Sequence, residues 1–421
     1  MKVITDFHIH SRFSRACSKQ ITIPNLAKWA EIKGIDVLAT SDFTHPQWLQ
    51  EIKENLKQNG QGLFVLKNAE YKTHFILSTE VSCIYKRGDK CRRLHICILF
   101  PNIQAVEKFN NTLEKLGKNL KSDGRPILGL DAREIVDIAL NADEKVLIIP
   151  AHIWTPWFAM FGSKSGFNSA EECFGKYTKH IYAVETGLSS DPPMNWLVSD
   201  LDQFVLVSNS DAHSLENLGR EANLFDLAEF SYQEIYQALK NKDKNKFLAT
   251  IEFYPQEGKY HYDGHLKCKV CFNPQETKKN KGLCPVCKKP LTIGVMNRVM
   301  ELADRSEAEL EKIKDKFIPY KSLIPLKEII GEIERVGSKS KKVNTIYQNL
   351  IQKGENEFNI LLNIEIEELK KIGGQVFAEA IKRMRAGQVH LQSGYDGQYG
   401  VVRVFTEQEI KKLRGEQKIL F

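Results

Sequence analysis

Residues 6–11 read Asp-Phe-His-Ile-His-Ser (DFHIHS) and close a short apolar run that begins at Val3. Residues two apart on a strand point to the same side, so the rings of His8 and His10 can share one ion. Similar placements recur down the chain. Glu80 ends FILSTE (75–80), His95 opens LHICILF (94–100) and His152 follows VLIIPA (146–151). Asp211 and His213 follow FVLVSNS (204–210), again two apart, and Asp42 stands just behind VLAT (37–40). A β/α barrel assembles its active groups in this way, at the ends of several strands at once. Imidazoles mixed with carboxylates suit Zn²⁺, Mn²⁺ or Fe. A structural acid after each strand is the competing explanation, but uncompensated buried charge is costly and a metal would neutralise it. His8, His10, Glu80, His95, His152, Asp211 and His213 are therefore the candidate catalytic and metal-binding residues, with Asp42 beside them.

Outward from these runs the first 250 residues alternate. YAVE (182–185) is another short strand, and amphipathic stretches such as PNLAKWAEIKG, IQAVEKFNNTLEKL, DAREIVDIALN and SYQEIYQALK lie between the strands. Short apolar strands separated by amphipathic helices predict parallel βα units. Six or seven of them favour an α/β barrel over an open sheet. After about residue 250 the pattern changes to a turn-rich aromatic segment, a Lys-rich cysteine segment and a mainly helical remainder. The spacing predicts three parts: a barrel over 1–250, a zinc-binding segment over 251–295 and a helical domain over 296–421.

Hydrophobic residues make up 42% of the 421, enough for cores without disulfides, and the net charge of +7 is only mildly basic. A charge-mixed surface explains that balance almost as well as a nucleic-acid partner does. No apolar run is long enough for a bilayer, and MKVITDFHIH lacks the apolar core of a signal peptide. With nine cysteines, an odd number, and no export signal, the reading is a cytoplasmic protein with reduced thiols and no membrane partner.

Four of the cysteines form two close pairs. Cys268-x₂-Cys271 and Cys284-x₂-Cys287 predict one structural Zn²⁺ held by four thiolates. Lys267, Lys269, Lys278, Lys279, Lys281, Lys288 and Lys289 surround them, a density that suits phosphate contact. His261 and His265 nearby are read as structural. Further on, Gly373-Gly374 sits between Leu369-x-x-Ile372 and an amphipathic helix with Lys382, Arg383 and Arg385. The stretch loosely resembles a helix-hairpin-helix, whose glycine turn offers N–H groups to DNA phosphate; a plain helix connection is the alternative. After His152 comes a run of aromatics, of which Trp154, Trp157, Phe158 or Phe161 is a candidate to wedge into a duplex or stack on an extruded base. Ordinary barrel packing is the competing account. Arg125, in the polar loop SDGRP, is a candidate phosphate contact. Ser189, Ser190 and Asn195, just after YAVE, are candidates to hydrogen-bond a base edge.

HIH, the Glu of STEVS, the His of LHI, the His of PAH and the DAH resemble, in order, the four motifs of the polymerase and histidinol phosphatase (PHP) family. The resemblance covers roughly residues 1 to 250. It implies a distorted (β/α)₇ barrel with two or three divalent metals, Zn²⁺, Mn²⁺ or Mg²⁺. His8, His10, Glu80 and Asp211 would hold the first, and Glu80, His95 and His152 the second. The second motif departs from the family's Thr-Asp-His: this chain has Ser41-Asp42-Phe43, and Ser14-Arg15 stands where an acid is usual. His213 remains for a third metal, with Asp42 or His45 as substitute ligands; otherwise that metal is absent or loosely held.

Clustered metals suit phosphoester hydrolysis, without fixing the ester. A small-molecule phosphatase has no evident need for a zinc segment and a basic helical tail, whereas a polymer substrate does. SDFTHPQWL, GRPILGLDARE, ETGLSSDPPMNW and EGKYHYDGH, then the cysteines, then a tail ending in GYDGQYG, resemble the endonuclease Q branch of the family along essentially the whole chain. That resemblance implies a repair endonuclease that nicks DNA 5′ to uracil, hypoxanthine, xanthine and abasic sites. It also raises a sliding clamp as partner, for which the terminal Gln417-Lys418-Ile419-Leu420-Phe421 is a fragmentary match. The competing readings are a phosphomonoesterase of the histidinol phosphatase kind and a DNA-binding accessory with a merely structural metal barrel.

Overall fold

The computed structural model describes residues 1–68 and 70–417. The chain is α/β, as the alternating pattern predicts. Strands β1 (Lys2–Asp6), β2 (Val37–Ala39) and β5 (His74–Arg87) lie parallel and adjacent. The hairpin of β3 (Leu56–Asn59) and β4 (Leu63–Leu66) extends the sheet beyond β5. β5 also pairs antiparallel with β6 (Lys90–Phe100), and β6 with β7 (Leu147–Pro150). β8 (Ala183–Glu185) and β9 (Val205–Val207) form a separate parallel pair.

Backbone hydrogen bonds join that pair to its neighbours on both sides. Ile153 N–H donates to Glu185 O (3.1 Å), Asp211 N–H to His8 O (2.8 Å) and His10 N–H to Ala212 O (3.0 Å). The circuit β1-β2-β5-β6-β7-β8-β9 therefore returns to its start, the seven-membered ring that the PHP resemblance implies. The strands within it are not all parallel. β5 and β6 form one long hairpin, turning through Gly88-Asp89 with Arg87 opposite Lys90 and Gly88 at φ 60°. A two-residue turn of this kind needs positive φ, which glycine supplies without steric cost.

Apart from the long β5–β6 hairpin the ring strands are short and mostly buried, and helices cover them outside. Ile103–Lys115 shows the logic: Asn102 accepts the N–H of Ala105 as N-cap, and Val106, Phe109 and Leu113 bury one stripe. Phe109 of this helix meets Phe43 edge to face and Phe100 at a tilt. Each such fully buried ring contributes about 1.5–3 kcal/mol.

The later segments dock onto this frame. β10 (Ala222–Asp226) adds antiparallel to β1, β11 (Phe247–Glu252) to β10, and β14 (Tyr320–Ser322) parallel to β11. The helices Leu326–Glu334, Lys341–Gly354, Ile366–Gly373 and Gln375–Arg385 share one continuous hydrophobic core with the barrel. Strand Val401–Arg403 pairs with His390–Gln392. No helix among the described residues is long and apolar enough to cross a membrane. Residues 418–421 of the clamp-type fragment lie outside the described residues.

Candidate metal centre

The carboxylate of Glu80 is buried, and its two oxygens face different groups. Oε2 lies 3.6 Å from His8 Nε2 and 3.3 Å from His10 Nε2. Oε1 lies 2.7 Å from His95 Nδ1 and 3.3 Å from His152 Nε2. Asp211 Oδ1 completes the first side, 3.0 Å from His10 Nε2 and 3.8 Å from His8 Nε2. Two trios result, His8–His10–Asp211 and Glu80–His95–His152, each with ligand atoms within 4.8 Å of one another. Glu80 stands between them as a bridging carboxylate would.

The donors fit divalent ions. His8 Nε2 and Glu80 Oε1 are buried with no directed hydrogen bond from the protein. Burial lowers His95 to about 4, so its ring is neutral and free to ligate. Burial would raise Asp211, but the hydrogen bond from His10 and the charge of His8 hold it below the usual carboxylate range. The backbone is strained here. Ser41, Asp42, His152 and Asp211 all adopt positive φ, a region that non-glycine residues seldom occupy and that clusters at functional sites. Gly187 explains one close approach: a Cβ there would lie 2.5 Å from His152 Cβ.

A second set of residues aims the ligands. Glu185 places both oxygens 3.0 Å from His8 Nδ1, which leaves Nε2 for the ion. The same carboxylate accepts the N–H of His152 (2.8 Å) and Asn209 Nδ2 (2.8 Å). Thr155 Oγ1 lies 3.2 Å from His152 Nδ1. Sequence reasoning did not assign Glu185 or Asn209. The signal for Glu185 was present, since it ends YAVE as Glu80 ends FILSTE.

Asp42 belongs with these aiming residues and not with the ligands. Its Oδ1 accepts from Ser41 Oγ (2.9 Å) and faces His10 Nδ1 at 3.5 Å. Its Oδ2 accepts from Ser11 N–H (2.8 Å) and Ser14 Oγ (2.7 Å). His45 is also placed away from the centre, its ring stacked on Phe13 with centroids 4.2 Å apart. His213 stays close, Nδ1 3.7 Å from Asp211 Oδ1 and its ring 4.5 Å from that of His10. Among the described residues no third trio forms in the barrel.

The zinc segment differs from its four-thiolate expectation. The converging group is His265, Cys268, Cys284 and Cys287, with Cys287 Sγ 3.6 Å from His265 Nδ1. Cys271 is exposed and outside this group. The hairpin Asp263–His265 and Val270–Phe272 explains the exchange. His265 pairs with Val270, which is buried against Cys284, while Cys271 falls on the alternate face opposite Gly264. Burial would raise Cys284, but the backbone N–H groups of Cys287 and Val286 bring it down to about 7.

Of the aromatics after His152, Trp154 and Phe161 are fully buried and pack on each other. Trp154 Nε1 donates to Asn195 Oδ1 (2.8 Å). Asn195 Nδ2 donates to Ser190 Oγ (3.1 Å), which itself donates to Thr186 O (2.9 Å). Trp154, Phe161, Ser190 and Asn195 thus brace the loops and face inward, contrary to the contacts expected of them. Ser189 is half-buried. Phe158 packs on His95 (4.7 Å), and its carbonyl accepts the His95 N–H (3.1 Å). Trp157 is 48% exposed, with the Arg93 guanidinium 5.0 Å from its ring centre. Gly374, at φ 86°, links Ile366–Gly373 to Gln375–Arg385, and no side chain caps the second helix. A cavity of about 940 Å³ lies where loop 191–197 meets segment 307–320, lined by Asp191, Trp196, His261, Phe317 and Tyr320. None of the barrel ligands lines it.

The MJ0043 C-terminal domain family matches residues 325–388. Protein MJ0043 of Methanocaldococcus jannaschii is 35% identical over 270 residues, 62% of this chain; the match spans 32% of that relative's length. The crystal structure of the lesion-specific endonuclease PfuEndoQ from Pyrococcus furiosus superposes with a TM-score of 0.85 at 32% identity, covering 98% of this chain and 97% of that one. A structure of endonuclease Q with a 27-mer duplex carrying an abasic lesion gives 0.82 at 31% identity, covering 98% of each chain. With two adjoining trios of metal-type ligands and this likeness over nearly its full length, the chain belongs to the endonuclease Q family.

Proposed function

We propose that this protein is a metal-dependent endonuclease that nicks DNA on the 5′ side of uracil, hypoxanthine, xanthine and abasic sites. The observation that carries the reading is Glu80 set between two trios of metal-type ligands in a chain similar throughout to endonuclease Q. His8, His10 and Asp211 would hold one divalent ion and His95 and His152 the other, with Glu80 between. Such ions, when bound, lower the pKa of water and stabilise charge on a phosphodiester in flight. The protein's own part is orientation. Glu185 and Asp42 fix which nitrogens of His8 and His10 face the centre. Burial keeps bulk water and counter-ions from that charge cluster.

The three parts divide the labour. Residues 1–250 would cut, 251–295 would hold one structural zinc amid lysines, and 296–421 would grip the duplex. The uncapped helix start after Gly374 supports a phosphate contact there. Trp157, the exposed aromatic of the loop beside His95, is the one we assign to the DNA.

Labelled duplexes bearing one deoxyuridine, deoxyinosine or abasic site, incubated with Mn²⁺ or Mg²⁺, test the proposal. A nick next to the lesion is expected. Asp211→Ala should abolish it while leaving duplex affinity intact, and Trp157→Ala should weaken lesion cleavage. Intact duplexes combined with phosphate release from small esters would instead mark a phosphomonoesterase.

A further inference from the structure

The loop 122–126 runs hard against the barrel mouth. Gly124 sits so near Asp42 and Ser14 that a Cβ would come within 2.2 Å of Asp42 Oδ2 and 2.4 Å of Ser14 Oγ. Thr44 Oγ1 donates to Gly124 O (3.2 Å), and Ser82 N–H donates to Pro126 O (3.0 Å). The residue held between these anchors is Arg125. Its Nη1 donates to Glu80 Oε2 at 3.0 Å, the oxygen that His8 and His10 also face. Nε and Nη2 make no hydrogen bond among the described residues, and the side chain is 24% exposed.

Of the residues that a third metal would need, His213 stays near the centre but Asp42 and His45 are otherwise engaged. Both Asp42 oxygens already accept hydrogen bonds, and His45 stacks on Phe13. A phosphodiester transition state still rewards additional positive charge. A guanidinium supplies it as a permanent, forked donor matched to phosphate.

We propose that Arg125 is the third cation of this centre, standing in for a third metal ion and placing its free N–H groups on the scissile phosphate. In the free protein it neutralises Glu80. His8, His10 and Asp211 would hold an ion beside the same Glu80 oxygen, and Arg125 would then be free to turn its guanidinium toward the substrate. The assignment rests on the phosphodiesterase reading above and sharpens it.

The test compares wild type, Arg125→Gln and Arg125→Lys by three measurements: barrel metal content by mass spectrometry, orthophosphate binding to the metal-loaded protein by calorimetry, and single-turnover nicking. Arg125→Gln should keep the barrel metal content of the wild type. It should bind orthophosphate about tenfold or more weakly and nick roughly 100- to 1,000-fold more slowly; Arg125→Lys should recover part of both. Wild-type nicking and phosphate affinity in Arg125→Gln would overturn the proposal. So would loss of a barrel ion, which would make Arg125 a brace for Glu80 alone. A wild type that nicks no lesion duplex, yet binds orthophosphate through Arg125, would sink the nuclease reading and keep the third-cation role.

Discussion

Glu185 belongs to neither trio, yet one carboxylate steadies a ligand on each side. It holds the His8 ring through Nδ1 and the His152 backbone through its N–H. Outer carboxylates of this kind fix the imidazole tautomer and raise ligand basicity. Glu185→Ala should therefore reduce barrel metal affinity about 10- to 100-fold without unfolding the protein. Competition against a chelator measures this, and unchanged retention would remove Glu185 from the positioning role. Asp42 illustrates the reverse lesson. Its place behind VLAT suggested a ligand, and only the hydrogen bonds from Ser11 and Ser14 of the loop after β1, and from its neighbour Ser41, reveal that it is already satisfied.

At the scale of elements, a hairpin of two three-residue strands decides which donors converge in the cysteine segment. The spacing of four cysteines is a local pattern and pointed to four thiolates. Strand alternation then sends Cys271 outward and brings His265 inward. The segment's own core is small, Val270, Cys284 and Leu291, so a bound metal would be its main tie. His265→Ala should lose the zinc and loosen this segment, while Cys271→Ser should keep one zinc per chain. Metal analysis and the visible spectrum of the Co²⁺ form would check both; the opposite pattern would restore the four-thiolate site. The long β5–β6 hairpin was readable in principle from Gly88-Asp89, but FILSTE and LHICILF look like two isolated strands when the exposed tips between them are polar.

At the scale of the whole molecule, one buried ion pair ties the barrel to the C-terminal helices. Lys33 Nζ lies 2.7 Å from Glu357 Oε2, which also accepts from the Tyr347 hydroxyl (2.7 Å), and Glu357 Oε1 accepts the Leu326 N–H (3.0 Å). Burial alone would raise Glu357, but Lys33 and these hydrogen bonds bring it below its ordinary 4.5. A depressed native pKa means that the unfolded chain binds the extra proton first. The contribution is thus complete above the ordinary value and fades as pH falls through the native one. Glu357→Ala should cost about 3–5 kcal/mol at neutral pH, because Lys33 is left buried and unpaired. The melting-temperature gap between wild type and this variant should shrink below about pH 4. A gap independent of pH would mean that the contact is not ionic.

The sequence alone determined the α/β class, the strand ends that carry His8, His10, Glu80, His95, His152 and Asp211, and the presence of a cysteine metal module. These depend on residue type and on short-range periodicity, which a chain displays without folding. Only the tertiary structure decided which imidazole nitrogen faces the centre, which oxygen of Glu80 serves which trio, and that Arg125 enters while Asp42 withdraws. It also decided that Trp157 is exposed and Trp154 is not. Each of these is a contact or a packing choice between segments far apart in sequence, such as His8 and Glu185 across 177 residues. Sheet register and loop packing fix such contacts, and neither is encoded in the local pattern around either residue.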